Sequence, residues 1–219
     1  MIQAAIFDLD GTLLNTLPSI AYYGNLALRK NDLPPIEQEE YKYMVGEGAK
    51  LLIERMLDHI GVSKEEYFDK VYTDYRTAYD ADPSYKTAFY DGILDLLGGL
   101  KKWGIPMTVF SNKPQEQVDG VMKTFFPEDL FSLIIGQHEG LPRKPDPTGV
   151  LMICEKLGVK PQKCLYVGDT ATDMKTGKAA GCLTAGASWG FRTIDELLDN
   201  GAYAVAEKPT ELLQLINEV

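Results

Sequence analysis

The chain is poor in the residues that build covalently stapled or zinc-held folds. It has three cysteines and two histidines among 219 residues. Cys154, Cys164 and Cys182 are far apart, no Cys-x-x-Cys occurs, and His59 and His138 lie at no zinc spacing. That argues against a disulfide scaffold or a zinc module. The thiols read as small buried apolar side chains, and an odd number of them without a secretion signal suits a reducing cytoplasm. The N-terminus has no basic segment followed by an apolar signal core. No stretch has the roughly 20 apolar residues of a membrane span. Basic residues are also outnumbered: 22 Lys and Arg stand against 32 Asp and Glu, for a net charge of −10 and a pI near 4.7. A protein that coats nucleic acid or an anionic membrane is therefore not expected. An anionic ligand would need a cation or local basic groups to reverse the sign at its site.

What the chain has is a 45% hydrophobic composition, enough for a full core. Ile2, Ala4, Ala5, Ile6 and Phe7 form a short apolar run, the habit of a strand buried on both faces. Further strands are expected at 105–111, 130–136, 164–168, 182–187 and 203–205. They alternate with helices at 92–103, 114–125, 148–157, 174–180 and 212–219. Alternation of this kind predicts an α/β fold with a doubly wound parallel sheet. Residues 15–82 read differently, as an all-helical insert after the first strand. Its helices begin at Leu17-Pro18, Glu37, Leu51 and Ser63, the last with a capping box to Glu66. The expected organisation is a core of residues 1–14 and 83–219 with a helical domain at 15–82. No internal repeat or low-complexity segment is present.

The ends of the expected strands carry the chemistry. The first ends in Asp8-Leu9-Asp10-Gly11-Thr12, the second in Ser111-Asn112-Lys113, and a later one in Gly168-Asp169-Thr170 with Asp173 a turn on. Arg143-Lys144-Pro145-Asp146-Pro147 precedes the helix at 148. In a parallel sheet these ends share one edge, where ligands bind. Taken singly each has an ordinary explanation: a turn, a helix cap, first-turn acids, a solvated lysine. Together they place Asp8, Asp10, Asp169 and Asp173 around one point, where uncompensated carboxylates would repel. Hard oxygen ligands in a cluster suit Mg²⁺. Thr12, Ser111, Lys144 and adjacent backbone N–H groups are donors that a tetrahedral anion would satisfy.

These four motifs resemble those of the haloacid dehalogenase-like (HAD) hydrolases, and the resemblance covers essentially the whole chain. It implies a Rossmann-like core, with the insert similar to that family's first type of cap domain. Within the family, Val45-Gly46-Glu47-Gly48-Ala49, Glu54-Arg55 and Phe89-Tyr90-Asp91-Gly92 resemble stretches of phosphoglycolate phosphatases. Asn15 departs from the aspartate that many relatives carry. The resemblance implies that Asp8 is the nucleophile and forms an aspartyl phosphate, with Asp10 the general acid and base. Mg²⁺ would be held by the Asp8 carboxylate, the Asp10 backbone carbonyl and Asp169, and Asp173 would support the metal or orient Lys144. Ser111 and Lys144 would hold the phosphoryl oxygens, helped by Thr12 and backbone donors at Asn112. Asp10 favours a phosphatase or phosphomutase over a dehalogenase, which lacks an acid there.

The expected activity is thus Mg²⁺-dependent hydrolysis of a small phosphorylated metabolite, with 2-phosphoglycolate the first candidate. A sugar phosphomutase, a pyrophosphatase or a nucleotidase of the same family remains open. A non-enzymatic phosphoacceptor or partner-binding module is the reading from another class; it would need no helical insert of this size. In the insert, Gly46 and Gly48 would allow close backbone approach to substrate. Lys50 and Arg55 are candidates for a substrate carboxylate, with a solvated helix face as the plainer reading. A monomer is expected over a dimer, because no long exposed apolar stripe is visible.

Overall fold

The apolar run at the N-terminus forms the central strand of a parallel sheet. In the computed structural model, which describes residues 1–219, the strands are β1 (Ala4–Phe7), β2 (Leu14–Asn15), β3 (Ala88–Phe89), β4 (Met107–Pro114), β5 (Leu133–Gln137), β6 (Cys164–Gly168), β7 (Leu183–Ala187) and β8 (Ala204–Ala206). The helices are α1 (Leu17–Lys30), α2 (Ala49–Ile60), α3 (Lys64–Ala81), α4 (Ile93–Lys102), α5 (Gln115–Phe125), α6 (Thr148–Leu157), α7 (Ala171–Ala180), α8 (Ile194–Asp199) and α9 (Glu211–Glu218). Six strands form one sheet in the order β5-β4-β1-β6-β7-β8, and every neighbouring pair is parallel. The α/β class and doubly wound sheet expected from the alternation are therefore present. The order reverses at β1, which has β4 on one side and β6 on the other, and a crevice opens at such a point. Phe7 lies opposite Val109 and Val167, so Asp8 emerges where β1 and β6 end and β4 runs on beside it.

Side chains alternate across this sheet, as the pleat requires. Ala5, Phe7, Val109, Leu165 and Val167 enter one core with Leu96, Leu100, Val118 and Val121. Ala4, Ile6, Phe110 and Tyr166 enter the other with Val150 and Ile153. Both faces are covered by helices, which is why β1 reads as a continuous apolar run.

The chain divides into two compact units, Met1–Asn15 with Ala88–Val219, and Thr16–Thr87. The second is helical. There α1 and α2 both pack on α3, burying Leu28, Ile53, Met56, Val71 and Tyr79. Pro34-Pro35 breaks the helical pattern, and the Asn25 side chain fixes the chain just beyond it by bonding Ile36 N and O at 2.8 Å each. Ser63 Oγ accepts from Glu66 N at the start of α3. Arg55 donates to Met44 O at 3.1 Å and pairs with Glu47. Arg55 is thus spent on its own unit, fastening the turn around Gly46.

Three elements depart from the periodicity. Strand β4 runs three residues beyond Ser111, and its pairing with β5 is irregular between Phe110 and Pro114. Helix α8 and the antiparallel β2–β3 pair escape a pattern search because they are too short to show a period. Of the three thiols, Cys154 and Cys164 are buried with their sulfurs 3.6 Å apart, whereas Cys182 is only partly buried.

Gly149, in the first turn of α6, leaves room for the Phe110 ring: a Cβ there would lie 2.3 Å from it. Gly149→Ala should lower the free energy of unfolding by about 1–3 kcal/mol through overpacking. A lower urea midpoint at unchanged slope would show this, and an unchanged midpoint would contradict it.

Candidate active site

The acidic turn after β1 is built by its own backbone. Asp8 N still donates to Val167 O at 2.9 Å, so Asp8 is held by the sheet. Leu9 O then accepts from Leu13 N and Leu14 N, both at 3.1 Å, closing the turn that carries Asp10. Gly11 sits at φ +87°, and a Cβ on it would fall 2.2 Å from Asp169 Oδ2. Only glycine combines that backbone conformation with such close approach.

Lys144 stands at the centre of the site. Its ammonium is 2.9 Å from Asp8 Oδ1 and donates to Asp173 Oδ1 at 2.7 Å and to Phe110 O at 3.3 Å. Two of its three donors are thus hydrogen-bonded, Asp8 is held by charge alone, and its side chain is only 2% exposed. The Asn112 side chain grips the Lys144 backbone from both sides, accepting from its N at 2.9 Å and donating to its O at 3.3 Å. Asp173 accepts from Tyr166 Oη at 3.2 Å as well, and its other oxygen accepts from Thr170 N at 3.1 Å and Thr170 Oγ1 at 2.6 Å. That makes the capping box that starts α7. Both Asp173 oxygens are thus tied to neighbours, one to Lys144 and Tyr166 and the other to the start of α7.

Asp169 is buried and held by two donors. Thr12 Oγ1 donates to its Oδ1 at 3.1 Å, and Phe191 N to its Oδ2 at 2.8 Å. The resemblance has Thr12 reach a phosphoryl oxygen, but its hydroxyl is turned to Asp169, because the tight turn at Gly11 brings the two together. Sequence reasoning misses the Phe191 contact, and also that of Trp189, whose Nε1 donates to Thr12 O at 2.9 Å. The available signal is position: the segment after β7 also follows a strand end. Asp10 Oδ1 pairs with Lys113 Nζ at 2.9 Å. Ser111 Oγ accepts from Lys113 N at 3.2 Å. So Asp8, Asp169, Asp173 and Lys144 come together, Asp10 meets Lys113, and the Ser111 and Asn112 side chains bond the Lys113 and Lys144 backbones.

Burial dominates the electrostatics. It pushes the Asp8 carboxyl up to about 7, the Lys144 charge opposing and the Asp173 charge adding. Asp169 is held well above the usual carboxylate range by burial, then by Asp173 and Asp8, against the Phe191 and Thr12 donors. Burial alone would lower Lys144, but Asp173 and Asp8 outweigh it and hold it above the ordinary lysine value.

This donor set fits a divalent cation. Carboxylate oxygens of Asp8, Asp169 and Asp173 lie within 4.8 Å of one another, all buried. Asp8 Oδ1 is charge-paired with Lys144 yet has no well-aligned hydrogen bond, which leaves it open to a further ligand. Burial and mutual repulsion hold Asp8 and Asp169 above the usual carboxylate range, and a nearby cation would relieve both. Oxygen-only ligands favour a hard cation.

The residues from Asp8 to Phe191 lie almost wholly within a stretch that matches a known family. The profile of haloacid dehalogenase-like hydrolases matches residues 5–187. The chain belongs to the haloacid dehalogenase-like hydrolases. Among relatives, a phosphoglycolate phosphatase of Rhodospirillum rubrum is 36% identical over 210 residues, spanning 94% of this chain and 87% of that protein. One of Mannheimia succiniciproducens is 32% identical over 219 residues, spanning 96% of each. The crystal structure of a predicted phosphoglycolate phosphatase from Haemophilus somnus superposes with a TM-score of 0.90 at 26% identity, covering 98% of this chain and 97% of that one. No helix of this HAD-like hydrolase is long and apolar enough to cross a membrane.

The geometry sets two expected outcomes. Asp173→Ala should destabilise the protein by about 3–5 kcal/mol, because it strands the buried Lys144 charge. Adding Lys144→Met should recover part of that loss, read as denaturant midpoints of the single and double variants. The second concerns pH. In chelator, the folded protein keeps a proton on Asp8 that the unfolded chain releases near 3.8. Stability from this group is therefore present below pH about 4 and falls as pH rises through about 7, since the folded state binds the extra proton. Melting temperatures across that window should decline in chelator, and adding Mg²⁺ should flatten the decline.

Proposed function

We propose that this HAD-like hydrolase is a Mg²⁺-dependent phosphoric monoester hydrolase acting through an aspartyl phosphate on Asp8. One observation carries the reading: a buried carboxylate at the end of the central strand, 2.9 Å from a buried lysine and flanked by further carboxylates. Phosphoryl transfer needs positioning and charge neutralisation above all, and this arrangement supplies both. The relatives named phosphoglycolate phosphatase make 2-phosphoglycolate the first substrate to try. We read Thr16–Thr87 as a cap that excludes water during turnover. Three free thiols suit a reducing compartment such as the cytoplasm.

In the proposed sequence, an Asp8 oxygen attacks phosphorus as the bond to the leaving alkoxide breaks. Asp10 gives that alkoxide its proton, so the alcohol departs and phosphorus stays on Asp8. Asp10 then takes a proton from water, the water oxygen attacks phosphorus, and the Asp8–phosphate bond breaks to restore the carboxylate. Splitting the displacement into two steps lowers each barrier. Lys144 holds Asp8 in place and offsets the repulsion between an anionic nucleophile and an anionic substrate. Ser111 and the backbone N–H of Asn112 are the proposed donors to the phosphoryl oxygens. The Asp8 carboxylate, the Asp10 carbonyl and Asp169 would hold Mg²⁺. When bound, it would supply positive charge opposite the transferring group.

The test is phosphate release from small phosphomonoesters, 2-phosphoglycolate among them, with Mg²⁺ or with chelator. Release should need Mg²⁺, and Asp8→Asn should reduce it by more than about 10³-fold, as loss of a nucleophile does. Acid-quenched wild-type enzyme should carry one phosphoryl group on the peptide containing Asp8. Release from no ester, or undiminished release by Asp8→Asn, would overturn the reading.

A further inference from the structure

Lys144 donates to Asp173 and Phe110 O and is charge-paired with Asp8, all of them groups other than Asp10. The second buried lysine is the one at Asp10. Lys113 Nζ lies 2.9 Å from Asp10 Oδ1, with side-chain exposures of 5% for Lys113 and 19% for Asp10. The lysine reaches there because β4 continues past Ser111 while its pairing with β5 becomes irregular between Phe110 and Pro114. A strand irregularity of this kind re-aims a side chain. Ser111 Oγ fastens the Lys113 backbone N at 3.2 Å. The neighbouring Asn112 side chain holds the Lys144 backbone. One three-residue segment therefore sets both lysines, each against a different carboxylate of the Asp8–Asp10 pair.

We propose that Lys113 is the positioning residue of Asp10: its charge holds the Asp10 carboxylate in the one orientation that exchanges protons with the leaving oxygen and the attacking water. The inference rests on the phosphatase reading above and concerns how Asp10 performs in it. A carboxylate on a turn can rotate about its side-chain bonds, and repulsion from the neighbouring Asp8 would turn it outward to solvent. A lysine nearly removed from water opposes that, because a buried charge binds its partner more strongly than an exposed one. Proton transfer depends on hydrogen-bond reach at the reacting oxygen, so loss of the pair costs rate even where Asp10 remains.

Two substrates separate this role from others. An alkyl phosphate needs a proton on its leaving oxygen, whereas p-nitrophenyl phosphate releases a stable phenolate without one. Lys113→Met should lower kcat/KM for the alkyl ester by about 10²-fold, the lower end of general acid–base contributions, and for the aryl ester by less than about 5-fold. Acid-quenched phosphoenzyme should accumulate in steady state with p-nitrophenyl phosphate, because Asp10 also activates the hydrolytic water. Lys113→Arg should restore most of the alkyl activity. In an Asp10→Asn background, Lys113→Met should leave the alkyl-to-aryl ratio unchanged, and that double variant also avoids an unpaired buried charge should the single one fold poorly. Equal losses on both esters, with raised KM and weaker inhibition by inorganic phosphate, would make Lys113 a phosphate ligand and overturn the proposal. So would no loss on either. Wild-type enzyme with no turnover at all would instead overturn the hydrolase reading, and this proposal with it.

Discussion

The buried ammonium of Lys144 is the constraint on which the rest of the site depends. It joins Asp8 at the end of β1, the Phe110 carbonyl on β4 and Asp173 on α7. A charge taken out of water needs opposite charge and hydrogen-bond partners, and two carboxylates and a carbonyl supply them. The neighbouring contacts make sense as support for this one. Asn112 fixes the backbone from which the lysine projects. Tyr166 and Thr170 fix the carboxylate it meets. Asp173 joins them by doing two tasks, capping α7 and anchoring Lys144.

The sheet explains why this cluster forms where it does. At the reversal of strand order β1 and β6 end side by side and β4 runs on beside them, so segments from distant parts of the chain arrive together. Carboxylates and lysines gathered there are costly in isolation and acceptable as a set. Carboxylates held above their usual range by burial and by one another call for a cation, and a cation beside Asp8 is also what an anionic phosphoryl group would require. The packing that assembles the site therefore creates the electrostatic need that its proposed chemistry uses.

Much of this architecture is readable from local pattern. β1, β6 and α6 carry their signals in apolar runs or helical spacing, and their expected positions match or nearly match the structure. From pattern alone β4 ends at Ser111, because Asn112 and Lys113 are polar and polarity ordinarily marks a strand end. They stay in the strand because each is buried against a partner far away in the chain. Helix α8 and the β2–β3 pair lack a period altogether. Of the candidate site residues, those with the plainest chemistry stand out: Asp8, Asp10 and Asp169 at strand ends and Lys144 just before a helix. Trp189 and Phe191 do not, since they act through an indole N–H and a backbone N–H, which residue type does not advertise.

By itself, then, the sequence determined the alternation that makes a parallel sheet, and it determined that acids and lysines terminate its strands. Those properties are local: period, breaker residues and the cost of a carboxylate beside an apolar run. Only the tertiary structure decided the partners. Lys144 meets Asp8 and Asp173 while Lys113 meets Asp10, 103 residues away. Thr12 turns to Asp169, 157 residues away, and Arg55 closes onto its own loop. Such choices depend on which strands become neighbours and how far each side chain is withdrawn from water. No local stretch of chain carries that information, because it arises when separate elements pack together.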